Sequence, residues 1–500
     1  MTMNYFISEN IFTLNSGTEH AQANRTRLFN QVGKRAVYVS RNYNRFISHD
    51  REAMNLTADE SINMYDYFQG LLYETGEELP LRLVPQLALD TYHIHSHGPN
   101  YSTLDEAGRQ VAKITVLPGT VGLVNEIMWN DRAGNPTRRE NYDWRGFISS
   151  IDYFHPDGNL GARYYLNRAG ATVIEETFMN VDGQLQPTMW KLTQADGDQR
   201  FNTEDELFLY FLNQLVGKDG EAVLISDRRS LDAVIAKVAP VRSRWAAFHG
   251  LTENVHADGS TTPYDVYQPV LTTLKESYDG ILVPTVRQQE ALTELYPDSN
   301  VCVIPDTVVT EHHEHQVTEG APDHQLLCVG RLAKDRRPEM ALQVFKRVVA
   351  VNPEARMSLI GYASSTEYLE ELKQLAKDLE VDSAVDFAGY LSDDQLGERY
   401  ATGRVLLSPA KQEAFGITAL EAMSYGVPVI AFDVPDTASL IHTGKNGVLV
   451  PEADLKEMAN QVLNLLTDQS RWQTLSTQAQ KTASAFLPNP VIGQWNQLGF

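Results

Sequence analysis

Two carboxylates eight residues apart, Glu413 and Glu421, stand in the stretch whose pattern most clearly builds a ligand site, Leu406-Leu407-Ser408-Pro409-Ala410-Lys411-Gln412-Glu413-Ala414-Phe415-Gly416-Ile417-Thr418-Ala419-Leu420-Glu421-Ala422-Met423. The apolar run Val405 to Leu407 predicts a buried parallel strand, a polar loop follows, and Thr418 to Tyr425 predicts a helix stopped by Gly426 and Pro428. A strand, a loop and a helix start in that order make an anion site, because the first amides of a helix have no intrahelical acceptor. Gly416 would let a phosphate approach the backbone. With Glu413 in the loop and Glu421 one to two turns into the helix, both carboxylates can face one cleft.

The run E-A-F-G-I-T-A-L-E-A, followed by Gly426-Val427-Pro428-Val429-Ile430-Ala431, resembles the signature of retaining glycosyltransferases of the GT-B fold, family 4. The resemblance implies that Glu413 holds hydroxyls of a donor sugar and Glu421 the ribose of a nucleotide diphosphate, with Phe415, Gly416, Ile417 and Thr418 along the donor. The segment Gly330-Arg331-Leu332-Ala333-Lys334-Asp335-Arg336-Arg337-Pro338 resembles the family's G-R-L-x-x-x-K loop, with Arg336 where Lys is usual. Two cations there can neutralise a diphosphate leaving group, and a guanidinium can bind it bidentately. The Arg-for-Lys departure keeps the charge and changes the geometry of the phosphate contact. Near the N-terminus, Ser16-Gly17 forms a backbone-exposing turn after a strand, and the equivalent loop in GT-B enzymes lies under donor and acceptor. The apolar run in Trp245-Ala246-Ala247-Phe248-His249-Gly250 predicts a strand that ends on His249. Related enzymes carry a His there beside the sugar's anomeric region. Glu413, Arg331, Arg336 and His249 are therefore the expected catalytic residues.

Five hundred residues exceed one core, so at least two domains are expected. A net charge of −23 speaks against nucleic acid and anionic membranes as partners, and mildly against a polyanionic acceptor. No window approaches 18 apolar residues, and no basic segment precedes an apolar one at the N-terminus, so neither a membrane span nor a signal peptide is expected. Cys302 and Cys328, the only cysteines, lie in apolar strand-like runs and fit buried thiols in a reducing compartment. A cytoplasmic location follows, with at most peripheral membrane contact.

Along the chain, Tyr5 to Ile7 and Val37 to Ser40 predict parallel strands, with a helix from about Ala21 to Val32 between them. From Gly70 to about Lys191 short alternating runs are separated by turns at Arg132-Ala133-Gly134-Asn135, Pro156-Asp157-Gly158, Arg168-Ala169-Gly170 and Val181-Asp182-Gly183. That spacing predicts an antiparallel meander. Helix and strand patterns resume from Asp205, Thr310 to His324 reads as a polar linker, and Leu326 opens a second βα series. The expected fold is α/β of the GT-B type: two Rossmann-like domains facing a cleft, with a β-rich meander inserted in the first. Its expected parts are 1–69 and 196–318 for the N-terminal domain, 70–195 for the insertion, 319–485 for the nucleotide-sugar domain, and 486–500 for a helix crossing back. His93, His95 and His97 are expected on one face of a strand, where three imidazoles could chelate a metal, but they have no acidic or Cys neighbour in sequence, and Glu311-His312-His313-Glu314-His315 falls in the linker, so no metal site and no cofactor are expected.

The resemblance implies α-linked transfer from UDP-glucose or UDP-N-acetylglucosamine. The N-terminal form N-S-G-x-E-H-A-Q-x-x-R resembles the glycosyltransferases that modify serine-rich adhesins in accessory secretion, which makes Ser/Thr hydroxyls of such a polypeptide the first acceptor expected. A polyol-phosphate wall teichoic acid is the alternative, for which Arg132, Arg138, Arg139 and Arg145 would form a local basic patch. A silent, substrate-binding chaperone is the third, and retention of Glu413, Glu421 and Arg331 counts against it. A homo-oligomer, or a complex with a related glycosyltransferase-like subunit, is compatible with the resemblance.

Overall fold

The computed structural model describes residues 2–76, 79–84, 87–88, 90–217, 220–255, 261–309 and 324–500. The Glu311 to His315 stretch and nearly all of the expected linker lie outside the described residues. The chain forms two compact units, one of Met1–Thr13 with Lys34–Arg244 and one of Leu14–Gly33 with Trp245–Phe500.

In the first unit, the parallel strands lie in the order Val223–Ser226, Asn4–Ser8, Ala36–Ser40 and Ser61–Asn63. Their continuous apolar runs suit a sheet covered on both faces, and every residue of Asn4–Ser8 and Ala36–Ser40 is buried. Ten antiparallel strands follow, each paired with its successor from His93–Ser96 to Gly197–Phe201. The turns fall where the sequence places them. Asp182-Gly183, with φ of 53° and 81°, makes the two-residue turn whose twist matches the strands it joins. The sheet begins at His93, later than residue 70, and runs past residue 195, because the hairpin Gln184–Gln194 to Gly197–Phe201 carries it on to Phe201.

The expected basic patch does not form. Arg145, 2% exposed, is held by Asp66 and Asp143 at 2.9 and 2.7 Å. Arg139 pairs with Asp152 at 2.5 Å, and Arg138 with Glu140. Carboxylates on the same strand (Glu140), the neighbouring strand (Asp152), the following turn (Asp143) and the helix Met64–Gln69 (Asp66) neutralise these three arginines, so they form part of the framework. The three histidines do not share a strand face as expected: His93 and His95 lie on His93–Ser96, but His97 falls beyond it, stacked on Tyr101 at 5.0 Å. Among the described residues no group of three or more His, Cys, Asp or Glu is arranged to hold a metal.

In the second unit, six parallel strands lie in the order Val385–Gly389, Arg356–Ile360, Gln325–Val329, Val405–Ser408, Val429–Phe432, Gly447–Val450. Numbered along the chain this is 3-2-1-4-5-6, the doubly wound order of dinucleotide-binding sheets. Successive residues of each strand enter opposite cores. Leu326, Cys328, Val405 and Leu407 pack with the helices Pro338–Val349 and Leu455–Thr467, while Leu327 and Leu406 pack with the helix Ile417–Ser424.

The unit also takes in the helix Gly17–Gln31, the strands Gly280–Val283 and Val301–Val303, and the C-terminal helix Pro488–Gln497. The boundary between units therefore differs from the expected division near residue 318. Packing explains it: Phe29 meets Trp495 edge to face at 5.3 Å, Arg25 covers the Trp495 ring at 5.7 Å, and Phe500 closes on Trp245 at 5.6 Å. These aromatic contacts bind the helix Gly17–Gln31 and the C-terminal residues to one core.

One close backbone approach fixes the exit of the central strand. Gly361 has a φ of 136°, and a Cβ on it would lie 2.0 Å from the carbonyl oxygen of Gly330. Gly361→Ala is expected to push the Gly330-Arg331 loop out of place and to cost about 2 kcal/mol or more in a urea unfolding experiment. An unchanged midpoint would show that this approach is not a constraint.

Candidate active site

The strands Gln325–Val329 and Val405–Ser408 are neighbours in the sheet, yet the chain leaves the first toward Arg356–Ile360 on one side and the second toward Val429–Phe432 on the other. Two loops that part at adjacent strand ends leave a crevice, where ligands of such sheets bind. A cavity of about 470 Å³ opens there. Ser16, Gly17, His249, Arg331, Arg336, Glu413, Phe415, Gly416, Ile417, Thr418 and Glu421 all line it. The structure thus brings every site residue expected from the sequence to one place.

Two helix starts face this space. Gly416 caps Ile417–Ser424 with a φ of 92°, a backbone turn that suits glycine, and so directs the amides of Ile417 and Thr418 toward the cavity. The second helix, Gly17–Gln31, begins four residues earlier than its apolar pattern predicts. Ser16 is its cap, with its N–H and Oγ 2.9 and 2.6 Å from Glu19 Oε2. A Cβ on Gly17 would come within 3.3 Å of Ile417 Cδ1, so the two helix starts touch.

The cations are already paired. Arg336 Nη1 donates to Glu413 Oε2 at 2.8 Å, and Arg331 Nη2 donates to both carboxylate oxygens of Asp335 at 3.1 and 3.2 Å. The amide of Lys411 donates to the Asp335 carbonyl at 2.9 Å, which ties the arginine loop to the glutamate loop. Arg331 and Arg336 are 47% and 40% exposed, leaving both guanidinium groups free to change partners.

At the far end Glu421 accepts from the Tyr400 hydroxyl at 3.2 Å. Burial first, and then the charge of Asp393, push its carboxyl up from 4.5 to about 7. Burial likewise raises the Cys328 thiol to about 12, which leaves that cavity-lining sulfur inert. Cys302 is half-buried rather than part of the core.

The strand expected to end on His249 stops at Ala247, which places the imidazole in the loop beyond the strand's carboxyl end. Its Nδ1 lies 2.8 Å from Asp306 Oδ1, and both side chains line the cavity. A carboxylate only accepts, so Nδ1 carries the proton.

Asp306, Asp393, Tyr362, Tyr390 and His20 line the cavity as well and were not read from the sequence. Asp306 could have been found by the rule that pointed to His249, since it follows the strand Val301–Val303 at its carboxyl end. Tyr362, Tyr390 and Asp393 had no such signal. Together the site presents cations and helix amides near Glu413, and a buried carboxylate beside tyrosines at Glu421. That is the polarity of a nucleoside diphosphate.

Glu421 yields a test by linkage. Its folded pKa lies above the ordinary value, so its contribution to stability is full below about pH 4.5 and is lost as pH rises through about 7. Glu421→Gln has no charge to bury. Its stability relative to the parent is expected to rise between pH 5 and pH 8, by up to about 3 kcal/mol, in paired denaturant melts. A constant difference across that window would exclude a buried, titrating Glu421.

Residues 309–482 match the family Glycosyl transferases group 1. The UDP-N-acetylglucosamine--peptide N-acetylglucosaminyltransferase GtfA subunit of Streptococcus agalactiae is 22% identical over 98% of this chain and 97% of its own length. The poly(glycerol-phosphate) alpha-glucosyltransferase of Bacillus subtilis is 23% identical over 73% of this chain, a match that spans 54% of that protein. The crystal structure of the pneumococcal O-GlcNAc transferase GtfA in complex with UDP and GlcNAc superposes with a TM-score of 0.84 at 19% identity, covering 99% of this chain and 98% of that one. A doubly wound sheet with a crevice at its switch point and a whole-length structural match lead to one conclusion: the chain has the GT-B fold, and its residues 309–482 match the glycosyl transferases group 1 family.

Proposed function

We propose that the chain is a retaining, UDP-sugar-dependent hexosyltransferase that moves glucose or N-acetylglucosamine onto Ser/Thr hydroxyls of a serine-rich surface polypeptide. The observation that carries this is the cavity at the switch point, where cations, two helix starts and two carboxylates converge. Arg331 and Arg336 exchange Asp335 and Glu413 for the diphosphate, with amides of Ile417 and Thr418 on its other side. Glu413 holds sugar hydroxyls, and Glu421 accepts from the ribose. The bond from the sugar's C1 to the phosphate oxygen breaks with its electron pair leaving on UDP. The acceptor hydroxyl attacks the same face and gives its proton to the departing phosphate oxygen. Charge thus develops where the guanidinium groups already stand. His249, held by Asp306, lies on the same cavity and serves the sugar end. The scheme uses no metal and no cofactor.

The polypeptide acceptor is supported by the match to the streptococcal enzyme along nearly its whole length, whereas the Bacillus match covers 73% of the chain. The net charge of −23 and the pairing of Arg138, Arg139 and Arg145 with carboxylates also disfavour a polyanion. A poly(glycerol- or ribitol-phosphate) acceptor is the second reading, and the Bacillus relative is its support. That the streptococcal relative is named a subunit supports assembly with a related glycosyltransferase-like chain. Unpaired Cys302 and Cys328 support a cytoplasmic site of action. Among the described residues no helix is long and apolar enough to cross a membrane.

Two experiments test the proposal. UDP release and acceptor mass are followed with UDP-glucose or UDP-N-acetylglucosamine, each given a Ser/Thr-rich polypeptide, a polyol-phosphate polymer or no acceptor. Release with a hexose or N-acetylhexosamine added to the polypeptide is expected, and release with the polymer alone would transfer the assignment to teichoic acid. Second, Arg331→Ala should lower kcat about 100-fold with the fold intact. Near-parent turnover in that variant would sink the assigned leaving-group role.

A further inference from the structure

The first unit holds a separate cavity of about 410 Å³, within the roughly 300–1,000 Å³ typical of small-molecule sites. We propose that this cavity, lined by Tyr43, Tyr65, Tyr165, Glu176, Trp190 and Glu204, is a second saccharide site that holds a neutral sugar residue. If the proposed transfer is correct, this is a sugar already attached to the acceptor.

The wall is built from aromatic rings that brace one another. Tyr43 meets Tyr165 edge to face at 4.7 Å and Tyr65 at 5.5 Å. Each of the other two tyrosines donates its hydroxyl to a carboxylate, Tyr65 to Glu204 at 2.7 Å and Tyr165 to Glu176 at 2.6 Å. Those bonds orient two acceptors on the cavity's rim, where neighbouring hydroxyls of a sugar can donate to them.

A donor waits beside them. Trp190 is 5% exposed, and its indole N–H has no hydrogen-bond acceptor among the described residues. A buried donor without a partner is costly, and a ligand hydroxyl would supply the missing acceptor. Burial also raises the carboxyls of Glu176 and Glu204, outweighing the opposing pull of Arg163 on the first and Arg41 on the second.

Charge selects the class of ligand. Three carboxylates, Glu176, Glu204 and Asp205, line the cavity; the guanidinium among its lining residues, Arg163, is committed to Asp152 at 2.6 Å, and Arg41 is committed to Glu204 and Asp205 at 3.5 and 2.6 Å. Both guanidinium groups already have carboxylate partners, so the lining suits a neutral polyol better than a phosphate. Aromatic faces against sugar C–H groups, with carboxylates and an indole N–H for its hydroxyls, make a consistent set.

The test measures binding without turnover, so it stands apart from the transferase assay. The whole chain, saturated with UDP to fill the other cavity, is titrated by calorimetry and tryptophan fluorescence. The ligands are a Ser/Thr-rich peptide carrying α-linked GlcNAc or glucose, the bare peptide, and a glycerol-phosphate oligomer. The glycopeptide is expected to bind about fivefold or more tightly than the bare peptide, and Trp190→Phe and Glu204→Gln should each remove about fivefold of that preference while leaving UDP affinity unchanged. Should Trp190→Phe fail to fold, Glu204→Gln decides. Equal binding of both peptides, a preference retained by the folded variants, or stronger binding of the phosphate oligomer would each overturn the site. Loss of UDP release with the glycopeptide preference intact would count against the transferase proposal alone.

Discussion

A change of direction at one pair of strands governs the second unit. Gln325–Val329 and Val405–Ser408 lie side by side, and right-handed crossovers carry the chain away from them on opposite sides. The loops that leave these strand ends cannot pack on each other along their length, and a crevice is the geometric result. Glycine conformations and close backbone contacts then place the loops that border it. Gly330 and Gly361 touch so that Arg331 starts its loop at the crevice edge, and Gly416 turns a helix start toward it. The Lys411 amide on the Asp335 carbonyl keeps the two loops in register.

The electrostatics of that crevice are balanced before any ligand arrives. Arg336 rests on Glu413 and Arg331 on Asp335, so neither cation stands alone. A diphosphate carries more charge than a carboxylate and offers more oxygens in bidentate geometry, and it can displace both partners. In the proposed function, releasing Glu413 from Arg336 in the same event would free that carboxylate for a sugar hydroxyl next to the diphosphate. Glu421 differs because its surroundings are rings and another carboxylate, Asp393, and the ionised form is held there at a cost. Sites that bind polar ligands commonly carry such a cost.

The first unit treats charge in the opposite way. Arg145, Arg139 and Arg163 are enclosed by Asp66, Asp143 and Asp152 and act as struts for the antiparallel sheet. Breaking such a buried pair by removing one partner strands the other, which is far costlier than losing a surface pair. The arginines of this module are therefore tied to its folding.

The chain's local chemistry was legible in its order of residues. Strand, loop and helix around Glu413 and Glu421, the arginine loop after Leu326 to Val329, and the turn at Asp182-Gly183 all depend on neighbours in sequence, and each formed within a few residues of its expected place. What sequence alone left undecided depends on partners distant along the chain. The pairing of His249 with Asp306, the burial that lifts Glu421, and the pairing of Arg139 with Asp152 and of Arg145 with Asp66 exist only once distant segments are brought together. The same holds for the helix Gly17–Gln31 and the C-terminal helix, which Phe29, Trp245, Trp495 and Phe500 join into one core. Periodicity records which face of an element is apolar, but not which distant element covers it; that choice is made by side-chain packing in three dimensions.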